Sequence, residues 1–417
     1  MMSTEKSMAA FHLAPWTKYV SRSMIQDLLP KVGQPDVISF GLGLPAPELF
    51  PSAEFAAACT DVLAMGPRCL QYGPPPATLK GHIVSLMADR GVECNEKQVF
   101  LTQGAQQAVR LLVDLLMERN RQVIMEEFGY PGFQQIVSFY QPEVLSVTSD
   151  LHTGMDVDKV EWYLSHGARP AFIYTIPTGH NPLAISLSAE KRERLASLSL
   201  SYGVPLLEED PYGFLTYSTT PLRPIAALAR GAVFYVGSFS KILAPSMRMG
   251  WLVVPEELTP YLGILKESSD IDMGTFSQYV VARMLDTGFL PDHLRRLRAE
   301  YSRRRDLMLD ALQEHLPAGS RWAVPDSGMY VWVQMPERFD TASALDSALK
   351  DYRVAYMPGQ AFTTSTSPAA RSTMRLNFSY PNKEQMVSGI RTLGEMFRAM
   401  PNQRPPVTGT LHPSVRT

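Results

Sequence analysis

Between about residues 100 and 255, short unbroken apolar runs alternate with segments whose apolar residues recur at helical spacing. The runs include Val123–Met125, Ala171–Ile176, Val204–Leu207, Ala232–Val236 and Trp251–Val254. Ala105–Met117 and Ser188–Tyr202 carry helical patterns between them. Strands that are apolar throughout are buried on both faces, so the alternation predicts an α/β unit around a mostly parallel sheet. The pattern changes after about residue 290. A charged helix is expected over roughly Asp292–Leu316, alternating strands at Met329–Met335 and Met374–Phe378, and a last helix over roughly Lys383–Met400. That arrangement predicts a smaller α+β lobe. A further helical pattern runs through Tyr19, Met24, Ile25, Leu28 and Leu29, and residues 401–417 read as a loose Pro- and Thr-rich tail.

The chain has 417 residues, more than one core of ordinary size, which agrees with two lobes. Its 39 basic and 41 acidic residues nearly cancel, so the charge is no footprint for nucleic acid or an anionic membrane. Cys59, Cys69 and Cys94 are too few and too unevenly spaced for a disulfide framework or a metal site, and fit a reducing compartment. The first residues, MMSTEKSMAAFHLAPW, hold no apolar run of signal-peptide length. No stretch approaches the roughly 18 unbroken apolar residues of a membrane helix. A soluble, cytoplasmic protein is expected.

Candidate chemistry clusters at strand ends. Ser238-Phe-Ser240-Lys241 closes an apolar run and is followed by Arg248. A lysine with few charged neighbours is partly desolvated, which lowers its pKa and frees a nucleophilic amine. Ser238, Ser240 and Arg248 suit a phosphate, although the same residues serve equally as a hydroxyl-capped strand end. Glu208-Glu209-Asp210-Pro-Tyr212 puts three acids at the end of a buried strand, where Asp210 is placed to face a pyridine nitrogen, although by itself the segment reads more readily as a solvated acidic strand end. Tyr212, and Asn181 in a Pro/Gly-rich turn, could reach a ring hydroxyl. Gly104 opens an amphipathic helix that continues Ala105-Gln106, and a helix N-terminus attracts phosphate. Tyr130 could stack on a flat ring, or simply pack in the core. Arg375 alternates with apolar residues on a strand and needs an anion, either a substrate carboxylate or a structural partner.

In this order along one chain, the motifs resemble those of fold-type I enzymes dependent on pyridoxal 5'-phosphate (PLP), in the class I/II aminotransferase group. The similarity is to the branch holding kynurenine/2-aminoadipate aminotransferases and the catalytic domain of MocR-type regulators. It rests on ISFGLGLPAPELFP at 38–51, LQYG at 70–73, the Gly104-Ala-Gln-Gln segment, IPTGHNP, EEDPYG, SFSKILAPSMRMGW, PDSGMYVWV at 325–333, MPGQAF at 357–362 and MRLNFSY. The resemblance implies an N-terminal segment over 1–48 joining a small domain, a large PLP-binding domain over 49–288 with a seven-stranded sheet, and the small domain over 289–400. It implies that Lys241 carries PLP as a Schiff base and moves protons, and that Asp210 pairs with the ring nitrogen. Asn181 and Tyr212 would contact the ring hydroxyl, and Tyr130 would stack. Ala105, Gln106, Ser238, Ser240 and Arg248 would hold the phosphate, helped by Tyr72 from the second subunit of a homodimer. Arg375 would take the substrate carboxylate, and Arg22 matches a second substrate-facing position.

The chain departs from the family pattern at Ala105 in place of Ser, at Leu183-Ala184 after Asn181-Pro182, at Gly179-His180, and at Leu42, which precedes Gly43 beside the substrate pocket. The leading expectation is amino transfer between an L-amino acid and a 2-oxo acid. Elimination, replacement or carbon–carbon bond formation with the same cofactor is the runner-up. The remotest expectation is a regulator's effector domain, because only about 17 residues precede the first matched helix.

Overall fold

A computed structural model describes residues 12–18, 20, 22, 26, 30, 34, 36–363 and 367–400. Tyr19, Met24, Ile25, Leu28, Leu29 and the expected tail at 401–417 lie outside the described residues.

The large sheet has seven strands: β1 (Val99–Thr102), β2 (Gln122–Glu126), β3 (Glu143–Val147), β4 (Ile173–Thr175), β5 (Leu206–Glu209), β6 (Val233–Ser238) and β7 (Gly250–Val253). Their spatial order is β1-β7-β6-β5-β4-β2-β3. Strand β7 runs antiparallel to both its neighbours, and the other pairings are parallel. The apolar strands owe their uniformity to burial on both faces: every residue of β4, β5, β6 and β7 is buried. Parallel strands need crossovers, and helices such as α1 (Ala105–Leu116) supply them. The crossover helix Ala189–Tyr202 begins where Ser188 accepts from the Lys191 amide and ends at left-handed Gly203. Such a cap contributes about 1 kcal/mol.

The second sheet has four antiparallel strands: β8 (Arg321–Trp322), β9 (Tyr330–Gln334), β10 (Met357–Pro358) and β11 (Thr373–Asn377), in the order β8-β9-β11-β10. Two long helices flank it, α2 (Leu290–His315) and α3 (Lys383–Ala399), the latter opened by a reciprocal Asn382–Gln385 capping box. The early segment Ile38–Ser39 pairs in parallel with Val354–Ala355, and the Phe40 carbonyl accepts from the Asn377 amide. The chain at 38–45 is thereby fastened to the small sheet while it lies across the carboxyl ends of the large one. In an open α/β sheet that edge is where ligands bind. Among the described residues no helix is long and apolar enough to cross a membrane.

Candidate active site

A cavity of about 270 Å³ opens at the carboxyl ends of the parallel strands. Lys241 enters it three residues beyond β6. Its Nζ donates to the Gly43 carbonyl at 2.7 Å. Burial lowers the lysine's pKa, with Tyr330 and Glu209 opposing and Arg375 and Arg248 assisting. A buried amine of this kind holds less charge than an exposed one and is the better base and nucleophile.

One end of the cavity is built for an anion. Helix α1 starts at Gly104 with no side-chain cap, so its first amides point free. Gly104 has φ +80, and a Cβ there would come within 2.8 Å of Arg248 Nη2. The glycine therefore lets the guanidinium lie against the helix start, where Nη2 also donates to the Gln103 carbonyl at 3.1 Å. Ala105, Gln106, Ser238, Ser240 and Arg248 share this wall. Tyr130 precedes the helix Pro131–Ser138 and packs over Gly132, where a Cβ would stand 2.5 Å from its ring.

The other end holds Arg375, from β11, whose residue is 1% exposed. Its Nη1 donates to Asn181 Oδ1 at 2.6 Å and its Nη2 to the Gly41 carbonyl at 2.7 Å. Its Nε is buried with no partner. The guanidinium lies over the Tyr330 ring, 4.2 Å from the centroid. Tyr330 in turn is 3.2 Å, hydroxyl to hydroxyl, from Tyr212. Burial drives the Tyr212 phenol upward, while Arg375 and Lys241 bring Tyr330 below the ordinary value despite its burial.

The structure thus brings together Leu42, Gly43, Ala105, Gln106, Tyr130, Asn181, Tyr212, Ser238, Ser240, Lys241, Arg248 and Arg375. Gly104 supports the wall from behind. Asp210, by contrast, is not among the residues that line the cavity. Side chains alternate along β5, so Glu208 and Asp210 leave one face of the sheet while Glu209 leaves the other. The cavity lies on the Glu209 face. On the opposite face Asp210 Oδ2 accepts from Arg90 Nη2 at 2.7 Å and from the Tyr235 hydroxyl at 3.1 Å. Tyr72 is 79% exposed and Arg22 is also exposed; neither lines the cavity of the single chain. Glu209 and Tyr330 also line the cavity, although the sequence did not single out either. Glu209 was legible by strand parity alone, and Tyr330 sat within an alternating strand that gave no cue beyond core packing.

A larger cleft of about 970 Å³ lies on the Asp210 side, lined by Arg90, Gly213 and Phe214 among others, but holds no lysine. A buried trio abuts the loop of Asn181. Glu126 Oε1 accepts from the Thr175 hydroxyl at 2.8 Å and stands 3.6 Å from His180 Nε2. Burial pushes Glu126 up to about 8 and His180 down to about 3, so the two meet as neutral groups.

A seven-stranded, mostly parallel sheet with a buried lysine facing an anion cradle defines a fold-type I PLP-dependent transferase. The chain belongs to the aminotransferase class I and II family, whose sequence model matches residues 35–393. It is 36% identical to aromatic-amino-acid aminotransferase 1 of Thermococcus litoralis, covering 90% of this chain and 91% of that one. With the 2-aminoadipate transaminase of Thermus thermophilus it shares 31% identity, over 91% and 95% of the two chains. The crystal structure of Pyrococcus horikoshii kynurenine aminotransferase in complex with PMP superposes with a TM-score of 0.86 at 32% identity, covering 95% of this chain and 98% of that one. The protein is a PLP-dependent enzyme that transfers amino groups. Its residues fit the cofactor: an uncapped helix start and Arg248 suit the phosphate, and the desolvated Lys241 suits the aldehyde.

Proposed function

We propose that Lys241 carries PLP as a Schiff base and acts as the proton-transfer group in exchange between an L-amino acid and a 2-oxo acid. The observation that carries this reading is a buried lysine of lowered pKa in one small cavity with an anion cradle and a buried, incompletely partnered arginine. The α1 amides of Ala105 and Gln106, with Ser238, Ser240 and Arg248, hold the phosphate. Tyr130 covers the ring, and Asn181 and Tyr212 donate to its hydroxyl. Arg375 takes the substrate carboxylate in a two-pronged bond. When bound, PLP supplies a ring that accepts the electrons freed at the substrate's Cα. Lys241 would serve as the base that takes the substrate's α-proton and as the acid that gives that proton back in completing the exchange. Its burial serves that task by bringing the amine's pKa toward the working pH. Leu42, Leu44, Ile176 and the Tyr330 ring give the cavity an apolar wall, which suits an aromatic or other apolar amino donor. The names of the Thermococcus and Pyrococcus relatives support that choice.

A homodimer in the cytoplasm accompanies this reading, with the exposed Tyr72 reaching the partner's phosphate site and Arg22 facing substrate. The chain divides into a segment over 1–48, a large domain over 49–288 and a small domain over 289–400. Reduction of the PLP-loaded protein with borohydride, followed by peptide mass spectrometry, tests the linkage. The expected label is on Lys241, and Lys241→Ala should carry none. Phenylalanine with 2-oxoglutarate should give one keto acid per amino acid formed. Label elsewhere, or a released leaving group without keto acid, would overturn the reading.

A further inference from the structure

We infer that Glu209 is the carboxylate that faces the pyridine nitrogen of PLP, and that Asp210 serves instead as the buried counter-ion of Arg90. The inference rests on the cofactor reading above and specifies one of its contacts.

Three successive acids end strand β5, and the fold separates them. The Glu208 carboxylate accepts from the amides of Ile225 at 2.8 Å and Ala226 at 2.7 Å. Asp210 is engaged on that same face by Arg90 and Tyr235. Gly213 closes over the pair, since a Cβ there would lie 2.1 Å from Asp210 Oδ2 and 2.5 Å from Arg90 Nη2. Asp210 Oδ1 is buried without a partner. It is nevertheless no candidate for the ring nitrogen, because Asp210 forms no part of the cavity wall while Glu209 does.

Glutamate has one more rotatable bond than aspartate, and a floating carboxylate would lose the contact to entropy. Here the torsion is fixed. The Tyr174 hydroxyl donates to Glu209 Oε2 at 2.5 Å. Tyr174 is itself held by face-to-face stacking on Phe133, with centroids 3.5 Å apart and planes 2° from parallel. Tyr174 is therefore a positioning residue. Burial pushes Glu209 up to about 7, with the Tyr174 bond and the Lys241 charge opposing. A protonated ring nitrogen across the cavity would complete the pair and hold the carboxylate ionised.

The test uses PLP labelled with ¹⁵N at the ring. In the loaded wild-type protein the nitrogen shift should report a protonated pyridine. Glu209→Gln keeps shape and the Tyr174 bond but removes the charge. It should move the shift to the unprotonated range and weaken PLP binding by about ten- to a hundredfold, the loss of one charge-assisted bond. Asp210→Asn should leave the shift where it is in the wild type. Should Glu209→Gln prove insoluble, Glu209→Leu provides the same reading, since it too leaves no carboxylate at this position. A nitrogen still protonated in the Glu209 variants would overturn the inference, as would an Asp210→Asn shift equal to that expected of Glu209→Gln. Failure of the wild type to bind PLP would instead strike the cofactor reading itself.

Discussion

Replacing Arg90 with Met separates a structural role for Asp210 from a catalytic one. The Arg90 and Asp210 side chains are 8% and 0% exposed, so their charges compensate each other out of reach of water. Burial lowers the Arg90 pKa, yet Asp210, Tyr235 and Glu208 together leave it raised. Arg90 also donates to the Gly213 carbonyl and lies 5.5 Å from the Phe214 ring centroid. Methionine keeps much of the stem packing but removes both bonds. The uncompensated Asp210 charge then costs about 3–5 kcal/mol, and the Gly213 carbonyl loses a bond worth about 1 kcal/mol. A loss of about 4–6 kcal/mol is a large share of the roughly 5–15 kcal/mol of a folded protein. Urea unfolding of the PLP-free protein measures it. The double variant Arg90→Met/Asp210→Leu should recover more than half of the loss, because no buried charge is left alone. The reasoning is refuted if Arg90→Met costs less than about 1 kcal/mol, or if Asp210→Leu adds its own penalty in full.

Gly43→Ala places a Cβ 2.1 Å from the Tyr330 hydroxyl oxygen but 3.2 Å from the ring carbon bearing it. Activity should fall in Gly43→Ala and partly return in Gly43→Ala/Tyr330→Phe, as steady-state kinetics would show. Arg375→Lys loses the two-pronged geometry, so KM for the amino donor should rise by roughly thirty- to a hundredfold, with a smaller change in kcat. Glu126 is raised to about 8, and Glu208 and Glu209 to about 7, from an ordinary 4.5. Carboxyls raised on folding stabilise the fold fully below about 4.5 and lose that contribution as pH rises through 7 to 8. Glu300, brought down to about 2 by its bonds to Arg303 and Arg304, stabilises above 4.5 and loses its contribution as pH falls toward 2. The melting temperature of the PLP-free protein should therefore peak near pH 5 and fall toward pH 8.

Much of the fold was legible because buried parallel strands leave an unmistakable signature. Each apolar run of the large sheet appears within a few residues of its expected place, and α2 and α3 begin and end close to theirs. Lys241 and Arg248 were legible because charge stands out where a buried strand ends, and Arg375 because it is a charge inside an apolar strand. The acids of β5 were not separable by composition, since Glu, Glu and Asp carry the same charge. Only the parity of the strand sorts them, and parity depends on knowing which face the cavity occupies. Tyr330 was hidden by its suitability for an ordinary strand. Tyr72 and Arg22 illustrate a different limit, because their expected roles concern a second subunit and a bound substrate.

Arg375 is bonded to Asn181 and to the Gly41 carbonyl before any carboxylate arrives. It stands on the small sheet, whereas Asn181 belongs to a loop of the large one. On the proposed reading, a substrate carboxylate therefore meets a guanidinium already tethered between the two sheets. Amino donor and oxo-acid acceptor present the same α-carboxylate, so on that reading each half-reaction begins at the same tethered guanidinium. Strengthening or loosening that tether, for example at Asn181, shifts the apparent affinities for donor and acceptor in parallel. It leaves the ratio between them, and hence the direction of net nitrogen flow, to the chemistry of the substrates themselves.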